Sequence, residues 1–395
     1  MFENKFFLLT LPIIMKETRL FNRMLCIMAA MYFAFSASAQ EKNGGNGLLR
    51  FAKKITSFID TMAVNGIDPN YISTPQKPWQ VIAKSVVNQS DMKMKSTIDG
   101  SKYFEDVPGE INWSPRILTT PSTAVGLWAG YRGYGIGYTK HAGGDDGFYF
   151  VLTAMGGRYG ANVRFHNFKT NRPKVHFSGY MPEWVDFNKE LDLGSPIRVN
   201  SVIADAYYMF NGKQFSYSAA YDQSAFQLRS AGSFIVGATY YHSSVNYASD
   251  DNADFILFMG DTGKAQQWQA SLGIGYAYNY VPSRNWLISI MAMPTVSFVN
   301  KMKGYKYDSK LKELILGDII SDIDLDEYME IWPTGTTTHN GNIHLNADVR
   351  LSISYNFDPF FACAYGTFNR FSYKNGSNSG SFQSWYVNSS IGIRF

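Results

Sequence analysis

His344, Asn346, Ser352 and Ser354 fall on one face of a single alternating segment. A serine nucleophile, a histidine base and an amide to orient the base are the ingredients of acyl transfer. On that reading the chain would hydrolyse or transfer an acyl group of a membrane lipid. The plainer reading is a polar ladder: residues two apart on a strand share a face by geometry alone. No Gly-x-Ser-x-Gly elbow occurs, and the remaining histidines, His141, His166, His176, His242 and His339, are scattered.

Two acidic runs resemble the opening of a calcium loop. Asp322-Ile323-Asp324-Leu325-Asp326 places Glu327 where a glycine is needed and Pro333 where a bidentate glutamate is needed. Asp250, Asn252 and Asp254 fail in the same way, with Phe255 at the glycine position. Both runs read as solvated loop charges. Such acids could still bridge the cations of lipopolysaccharide. No catalytic residue, metal site or cofactor is expected. Cys26 lies in an N-terminal leader, which leaves Cys363 with no internal disulfide partner.

Charges at alternating positions are more informative. Arg158, Arg164, Asp222, Asp348, Arg350 and Arg394 all sit on the polar face of their segments. In a membrane barrel they should point into the lumen, because an arginine facing lipid near the midplane costs roughly 2–4 kcal/mol. Inside, they either pair to tie the lumen shut or line a pore.

The segments that must position these residues alternate with a period of two. In Ile343–Phe357, one face carries Ile343, Leu345, Ala347, Val349, Leu351, Ile353, Tyr355 and Phe357, and the other carries His344, Asn346, Asp348, Arg350, Ser352, Ser354 and Asn356. Gln266–Tyr280 sets Trp268, Leu272, Ile274, Tyr276, Tyr278 and Tyr280 against Gln, Ser, Gly and Asn. These segments are about fifteen residues long, against roughly five or six for a soluble strand. A tilted membrane strand needs roughly nine to eleven. A soluble sandwich would require unusually long strands.

Twelve strands are predicted: Thr123–Tyr131, Tyr134–Lys140, Gly147–Met155, Arg158–Phe168, Arg198–Phe210, Gln214–Asp222, Leu228–Ser243, Gln266–Tyr280, Arg284–Val299, Ile343–Phe357, Phe360–Ser372 and Phe382–Phe395. Trp79–Val87 and Lys174–Tyr180 would raise the number to fourteen. The fold class is therefore all-β, an antiparallel transmembrane β-barrel with a short N-terminal helix. Asp358-Pro359, Val281-Pro282-Ser283 and Ser224–Gln227 read as tight turns, and Asn246–Lys264, Asn300–Asn342 and Lys374–Ser381 as long loops. Short periplasmic turns and long outer loops are the rule for such barrels. Asn167–Ile197 breaks it: the segment is long, yet strand parity places it in the periplasm.

Composition agrees with strands. Of 395 residues, 17% are charged and 16% aromatic, with 26 Tyr and 29 Phe. A net charge of +4 without a Lys/Arg block gives no reason to expect a nucleic-acid partner. A mean hydropathy of −0.19 is too polar for a helical membrane protein. Residues 1–39 read as a signal peptide: Lys16, Arg19 and Arg23 precede the apolar run Met24–Phe35, and Ala37-x-Ala39 offers the cleavage site. Met15 is the better start codon for that leader. Residues 40–120 would form a periplasmic or plug segment with one amphipathic helix over Leu48–Met62, and residues 121–395 the barrel. The final strand carries Trp385, Val387, Ile391, Ile393 and Phe395 on one face, a pattern that resembles the assembly signal read by barrel-insertion machinery. Pairing by edge addition would let that machinery hold the strand before closure.

The stretch Tyr208-Met209-Phe210-Asn211-Gly212-Lys213-Gln214-Phe215-Ser216-Tyr217-Ser218-Ala219-Ala220-Tyr221, followed by Gln227–Phe234, resembles a family of Bacteroidota proteins defined only as a domain of unknown function. Ile67-Asp68-Pro69-Asn70-Tyr71-Ile72 resembles the same family. The resemblance implies an outer-membrane-type barrel and brings no catalytic residue with it. Asn211-Gly212 also reads, on its own, as a two-residue hairpin turn. Three functions follow: a structural barrel, or one that passes or binds a small solute or lipid; a lipid-modifying enzyme; and a surface protein displaying Asn246–Lys264 and Asn300–Asn342. The expected surroundings are outer-membrane lipid, lipopolysaccharide and the assembly machinery.

Overall fold

The computed structural model describes residues 65–99, 110–118, 121–143, 146–180, 184–311, 329–375 and 378–395, and a few residues of a helical stretch within 54–61. Of the helix expected over Leu48–Met62, the described residues Lys54, Thr56, Ser57 and Ile59–Thr61 are helical. The leader, Cys26 and Asp322–Asp326 lie outside the described residues.

Eighteen strands follow in order: β1 Ile72–Ser73, β2 Trp79–Asp99, β3 Glu110–Leu118, β4 Ser122–Tyr131, β5 Tyr134–Gly143, β6 Asp146–Met155, β7 Tyr159–Thr170, β8 Lys174–Tyr180, β9 Trp184–Glu190, β10 Ile197–Met209, β11 Phe226–Gln227, β12 Ala231–Asn246, β13 Thr262–Ser283, β14 Trp286–Ser309, β15 Ile331–Asn340, β16 His344–Phe357, β17 Phe360–Asn375 and β18 Asn378–Arg394. Twelve of them (β2, β4–β7, β10, β12–β14 and β16–β18) make a closed antiparallel barrel. The seam is β18 against β2, running in register from Arg394↔Gln80 to Ser379↔Lys95. Closure leaves no unpaired edge, which is the requirement for crossing lipid.

The alternation read from sequence is the alternation of the wall. On β13 Leu272, Ile274, Tyr276 and Tyr278 are exposed outward, and on β16 Leu345, Leu351 and Ile353 are. Asn346, Asp348, Arg350, Ser352 and Ser354 of β16 are buried inward. Trp385, Val387, Ile391, Ile393 and Phe395 are all exposed on the outer face. Aromatic side chains fringe the apolar band: Tyr280, Trp286, Phe357 and Phe360 toward one end, Tyr240, Phe298 and Trp385 toward the other. Such girdles suit the two water–lipid interfaces.

One end of the barrel has short connections. Arg132 and Gly133, with φ of 46° and 86°, make the two-residue turn from β4 to β5. Positive φ at both positions matches the right-handed strand twist. β13 and β14 turn at Arg284-Asn285, two residues beyond the Val281-Pro282-Ser283 expected, because the ladder continues to Ser283↔Trp286. Phe357 and Phe360 close the Asp358-Pro359 turn as expected. Apart from the connection between β10 and β12, the long connections gather at the opposite end.

Two expectations fail together. Gln214–Asp222 is not a strand: Tyr217–Tyr221 is a short helix, α1, and Ser224–Gln227 is no hairpin turn. Asn211-Gly212 opens a folded insertion of about twenty residues between β10 and β12. The twelfth wall strand is Trp79–Asp99 instead, so the barrel begins well before residue 121. Removing one strand and adding another upstream reverses the parity of everything between them. Asn167–Ile197 therefore joins the other long connections, and its conflict with the turn rule disappears. Lys174–Tyr180 is a strand outside the wall, pairing β3 and β9.

At the long-loop end the strands outrun the barrel. β14 continues to Ser309 and pairs β15, so much of Asn300–Asn342 is a projecting hairpin. β17 and β18 pair as far as Asn375↔Asn378, so Lys374–Ser381 is hairpin too. Val175, Leu193, Ile197, Tyr247, Phe255 and Ile256 form a small core there, with Ala253–Phe258 as helix α2.

Candidate functional site

The insertion between β10 and β12 turns into the lumen. Every residue of α1 is buried, and Phe215 and Tyr217 are fully so. Ser216 caps the helix, its Oγ accepting from the Ala219 backbone N–H at 3.2 Å. Met209, Tyr217, Ala220, Ile235, Leu287 and Met291 pack together as the core at the short-turn end. The sequence alternates Tyr, Ser and Ala there, which resembles a strand. What decides for a helix is tertiary: all its faces find barrel-wall partners at once.

Polar contacts fasten this plug. The Gln227 side-chain oxygen accepts from the Ser216 N–H at 2.9 Å and from Asn279 Nδ2 at 2.9 Å, while its amide nitrogen donates to the carbonyl of Gln214 at 2.5 Å. Gln80 Nε2 donates to the Gln223 carbonyl at 2.7 Å. The Ile67–Ile72 stretch lies against the same insertion. β1 pairs β11, Asp68 N–H donates to the Lys213 carbonyl at 2.8 Å, and Leu228 N–H donates to the Tyr71 carbonyl at 2.7 Å. The two segments that carry the family resemblance are thus one structural unit.

Above the plug a network of charges crosses the lumen. Arg350 of β16 reaches Asp205 of β10 at 3.2 Å and Asp348 of its own strand at 3.1 Å. Arg164 of β7 binds Asp205 at 2.8 Å and donates to the Tyr386 hydroxyl of β18 at 3.0 Å. Asn162 donates to the second Asp205 oxygen at 2.8 Å. Tyr207 donates to Asp348 at 2.5 Å, and Arg350 donates to Tyr217 of the plug at 2.6 Å and also to Tyr207. Two guanidinium groups face two carboxylates, so the network is neutral. Pairing of this kind offsets the large desolvation cost of buried charge.

The six charged residues expected in the lumen therefore divide. Arg164, Asp348 and Arg350 meet in the network. Arg394 and Asp222 lie at the plug, Arg394 on β18 and Asp222 just after α1, not on a strand. Burial pushes the Asp222 carboxyl, outside the spanning strands, up to about 6, against the opposing pull of its hydrogen bonds from Ser224 and the charges of Lys84 and Arg394. Arg158 sits in the turn between β6 and β7, beside Gly212, and joins neither group. Asp205, Tyr207 and Tyr217 went unnoticed in the sequence. Asp205 lies on the inward face of an evident strand and was legible there, whereas Tyr217 required the plug.

The suspected hydrolytic array does not assemble. His344 and Ser352 are eight residues apart on β16, roughly 26 Å at a strand's rise per residue. Asn346 instead donates to Gln269 at 3.1 Å and accepts from the Ser372 N–H at 2.9 Å. Asn252 of the second acidic run is buried in structural bonds to Ser195 and Tyr247. Among the described residues no cluster of His, Cys, Asp and Glu could hold a metal ion.

A cavity of about 110 Å³ remains between the network, the plug and the β2–β7 wall. Trp128 of β4 lies flat against that wall. A Cβ at Gly130, Gly135 or Gly137 would fall 2.1, 2.3 or 2.9 Å from its indole. These glycines exist to admit the ring. Lys84 Nζ sits 5.4 Å from the Trp128 ring centre. Tyr149, His166 and Phe168 stack along the adjoining wall, with centroids 3.8 and 4.7 Å apart.

A closed wall with an apolar exterior, aromatic fringes and a plugged polar interior defines an outer-membrane-type β-barrel. The chain belongs to the family described as a domain of unknown function (DUF4421), which matches residues 68–395. A comparison with curated proteins gave no match. Among solved structures, the outer membrane protease OmpT from Escherichia coli is similar at 9% identity and a TM-score of 0.37, over 82% of this chain and 98% of that one. The outer membrane protein OprG from Pseudomonas aeruginosa is similar at 10% identity and a TM-score of 0.26, over 81% and 97%. The Pseudomonas putida toluene transporter TodX gives 7% identity and a TM-score of 0.22, over 81% and 90%.

Proposed function

We propose that this chain is an exported bacterial outer-membrane barrel that takes a small solute into a lumen held shut at rest. The leader through Ala39, the lipid-facing band and the resemblance to Bacteroidota proteins support that location. The short-turn end then faces the periplasm and the projecting hairpins face outward, in contact with lipopolysaccharide. The alternating outer face of β18 supports delivery by the barrel-assembly machinery.

The observation that carries the reading is the lumen-crossing Arg164–Asp205–Arg350–Asp348 network directly above a buried plug. Apolar filling of the same volume is often as stable or more so, so stability alone does not account for four paired charges in the interior. A neutral, hydrogen-bonded network can separate and re-form, and so suits a gate.

The test is conductance in planar bilayers. The mature wild-type chain is expected to show no steady open level. Replacing residues 212–229 by a short Gly-Ser linker is expected to produce one. A wild type that conducts as steadily as the linker variant would overturn the shut-lumen reading.

A further inference from the structure

We propose that the lumen cavity binds a small carboxylate with a flat apolar body, Lys84 supplying the counter-charge and Trp128 a face to lie on. The proposal names the solute class for the reading above and rests on that reading's cavity, though not on its gate.

Lys84 is a lumen cation held by no ion pair among the described residues. Arg164, Arg350, Asp205 and Asp348 neutralise one another, and Arg394 is spent on the plug and on Asp358 at 3.7 Å. Among the described residues no carboxylate makes an ion pair with Lys84, whose ammonium lies over the Trp128 ring instead. Asp222 lines the same cavity and attracts Lys84 from beyond ion-pair distance. An ammonium facing a low-dielectric cavity favours an anion there.

The unpartnered polar atoms around the same space are the second observation. Trp128 Nε1 and Arg164 Nε are buried and bond to nothing. Both are obligate donors. His166 Nε2, Asn388 Oδ1 and Asp222 Oδ2 on the cavity wall are unpartnered as well, the last two being acceptors that a ligand would meet away from Lys84. Buried groups of this kind are nearly always satisfied, so each calls for a partner. A cation with two idle donors asks for a group that only accepts, and an ionised carboxylate is such a group.

Size and lining fix the rest of the ligand. A cavity of about 110 Å³ is smaller than one that takes up benzene, roughly 150 Å³, so the ligand carries at most a single ring, its carboxylate reaching out toward Lys84. The Tyr149–His166–Phe168 stack and the indole offer flat faces. Val86, Val151 and Ile203 add apolar wall, interleaved with polar side chains such as Asn88, Ser201 and Asn369. A bare inorganic anion would leave those surfaces uncovered.

The experiment is calorimetry on the mature chain folded in detergent, titrated with benzoate, benzyl alcohol and inorganic phosphate. Benzoate is expected to bind at least tenfold more tightly than benzyl alcohol, its neutral analogue, and phosphate to bind more weakly than either. Lys84→Met is expected to remove the preference for benzoate while leaving benzyl alcohol unchanged. Equal affinities for benzoate and benzyl alcohol in the wild type overturn the proposal, as does no benzoate binding. If Lys84→Met does not fold, the wild-type comparison alone still decides. A failure here with a silent, plug-dependent barrel in bilayers removes only the ligand class. A conducting wild type that still prefers benzoate removes only the gate.

Discussion

Arg394 Nη2, at the end of the strand that closes the barrel, donates to the backbone carbonyl of Gln223 in the plug at 2.9 Å. Its Nε reaches the same oxygen at 3.2 Å, and the guanidinium lies over the rings of Phe226 and Phe361, 4.6 and 4.4 Å from their centres. Gln223 holds a left-handed φ of 62°, which turns that carbonyl toward the wall. The seam and the plug thus share a residue. Pairing β18 with β2 brings Arg394 and Gln80 side by side, and both then donate to Gln223. Barrel closure and plug seating are one event in this geometry.

Arg394→Ala should therefore loosen the plug without opening the seam. It removes two bonds from a charged donor, each worth about 1.5–3 kcal/mol at most. The backbone pairing of β18 with β2 is left in place. Limited trypsin digestion of the folded protein reads the effect. The variant is expected to be cut after Lys213 or Arg229, where the wild type resists, with the barrel fragments still heat-stable in detergent. An unchanged digestion pattern would mean that Gln80 and Gln227 hold the plug alone.

Neighbouring residues on β16 should respond in opposite ways. Arg350→Ala leaves Asp205 and Asp348 short of a cation in a buried site, at a cost of roughly 3–5 kcal/mol. It should fold, with a lower urea midpoint and intermittent conductance. Leu351→Arg places a charge on the lipid face near the midplane, at about 2–4 kcal/mol, and should fail earlier, in assembly. Refolding yield into vesicles separates the two. Equal and mild effects from both would sink the assignment of faces.

The wall was legible in the sequence because side-chain alternation is a local property. β13, β16 and β18 could be read residue by residue, and with them the inward Asp348 and Arg350. The plug was not legible. Gln214–Asp222 has the length and spacing of a strand, and only the cavity that receives it makes α1 the better structure. β2 was obscured for the opposite reason: prolines at Pro69, Pro75 and Pro78 crowd its start, yet all three precede its first residue. The parity conflict at Asn167–Ile197 was the one sequence-level sign that a strand had been misplaced. The lumen contacts join residues as far apart as 164 and 386, a distance along the chain over which no local pattern extends.

Gly137→Val should disturb Trp128 before it disturbs β5, because a Cβ there meets the indole at 2.9 Å and the nearest backbone atom only at 3.5 Å. The added methyl groups would overlap the indole, whose far edge lies close over Gly130 and Gly135. Overpacking of this kind costs about 1–3 kcal/mol. Near-ultraviolet circular dichroism should lose part of its tryptophan signal while the far-ultraviolet strand signal holds. The same variant should weaken benzoate binding several-fold, because the ring is one wall of the cavity. An intact tryptophan signal would show that the ring has room to move, contrary to the packing described.

Asp222 gives the plug a pH dependence that runs against the usual carboxylate. Most folded-state carboxylates titrate low, and proteins lose stability as they are acidified through that range. Burial raises the Asp222 carboxyl to about 6, above an unfolded value of about 3.9. The folded state then holds this proton more tightly than the unfolded state. Its contribution is fully present below about pH 4 and is lost as the pH rises through 6, where the buried carboxylate must ionise. A difference of about two units corresponds to roughly 3 kcal/mol at most. Its hydrogen bond from the Ser224 N–H, 2.8 Å to Oδ1, survives in an amide of the same shape. Asp222→Asn is therefore expected to be more stable than the wild type at pH 7.5 and close to it at pH 4.5, as read from urea midpoints of the detergent-folded proteins. A wild type that gains stability relative to Asp222→Asn as the pH rises would show that Lys84 and Arg394 outweigh burial.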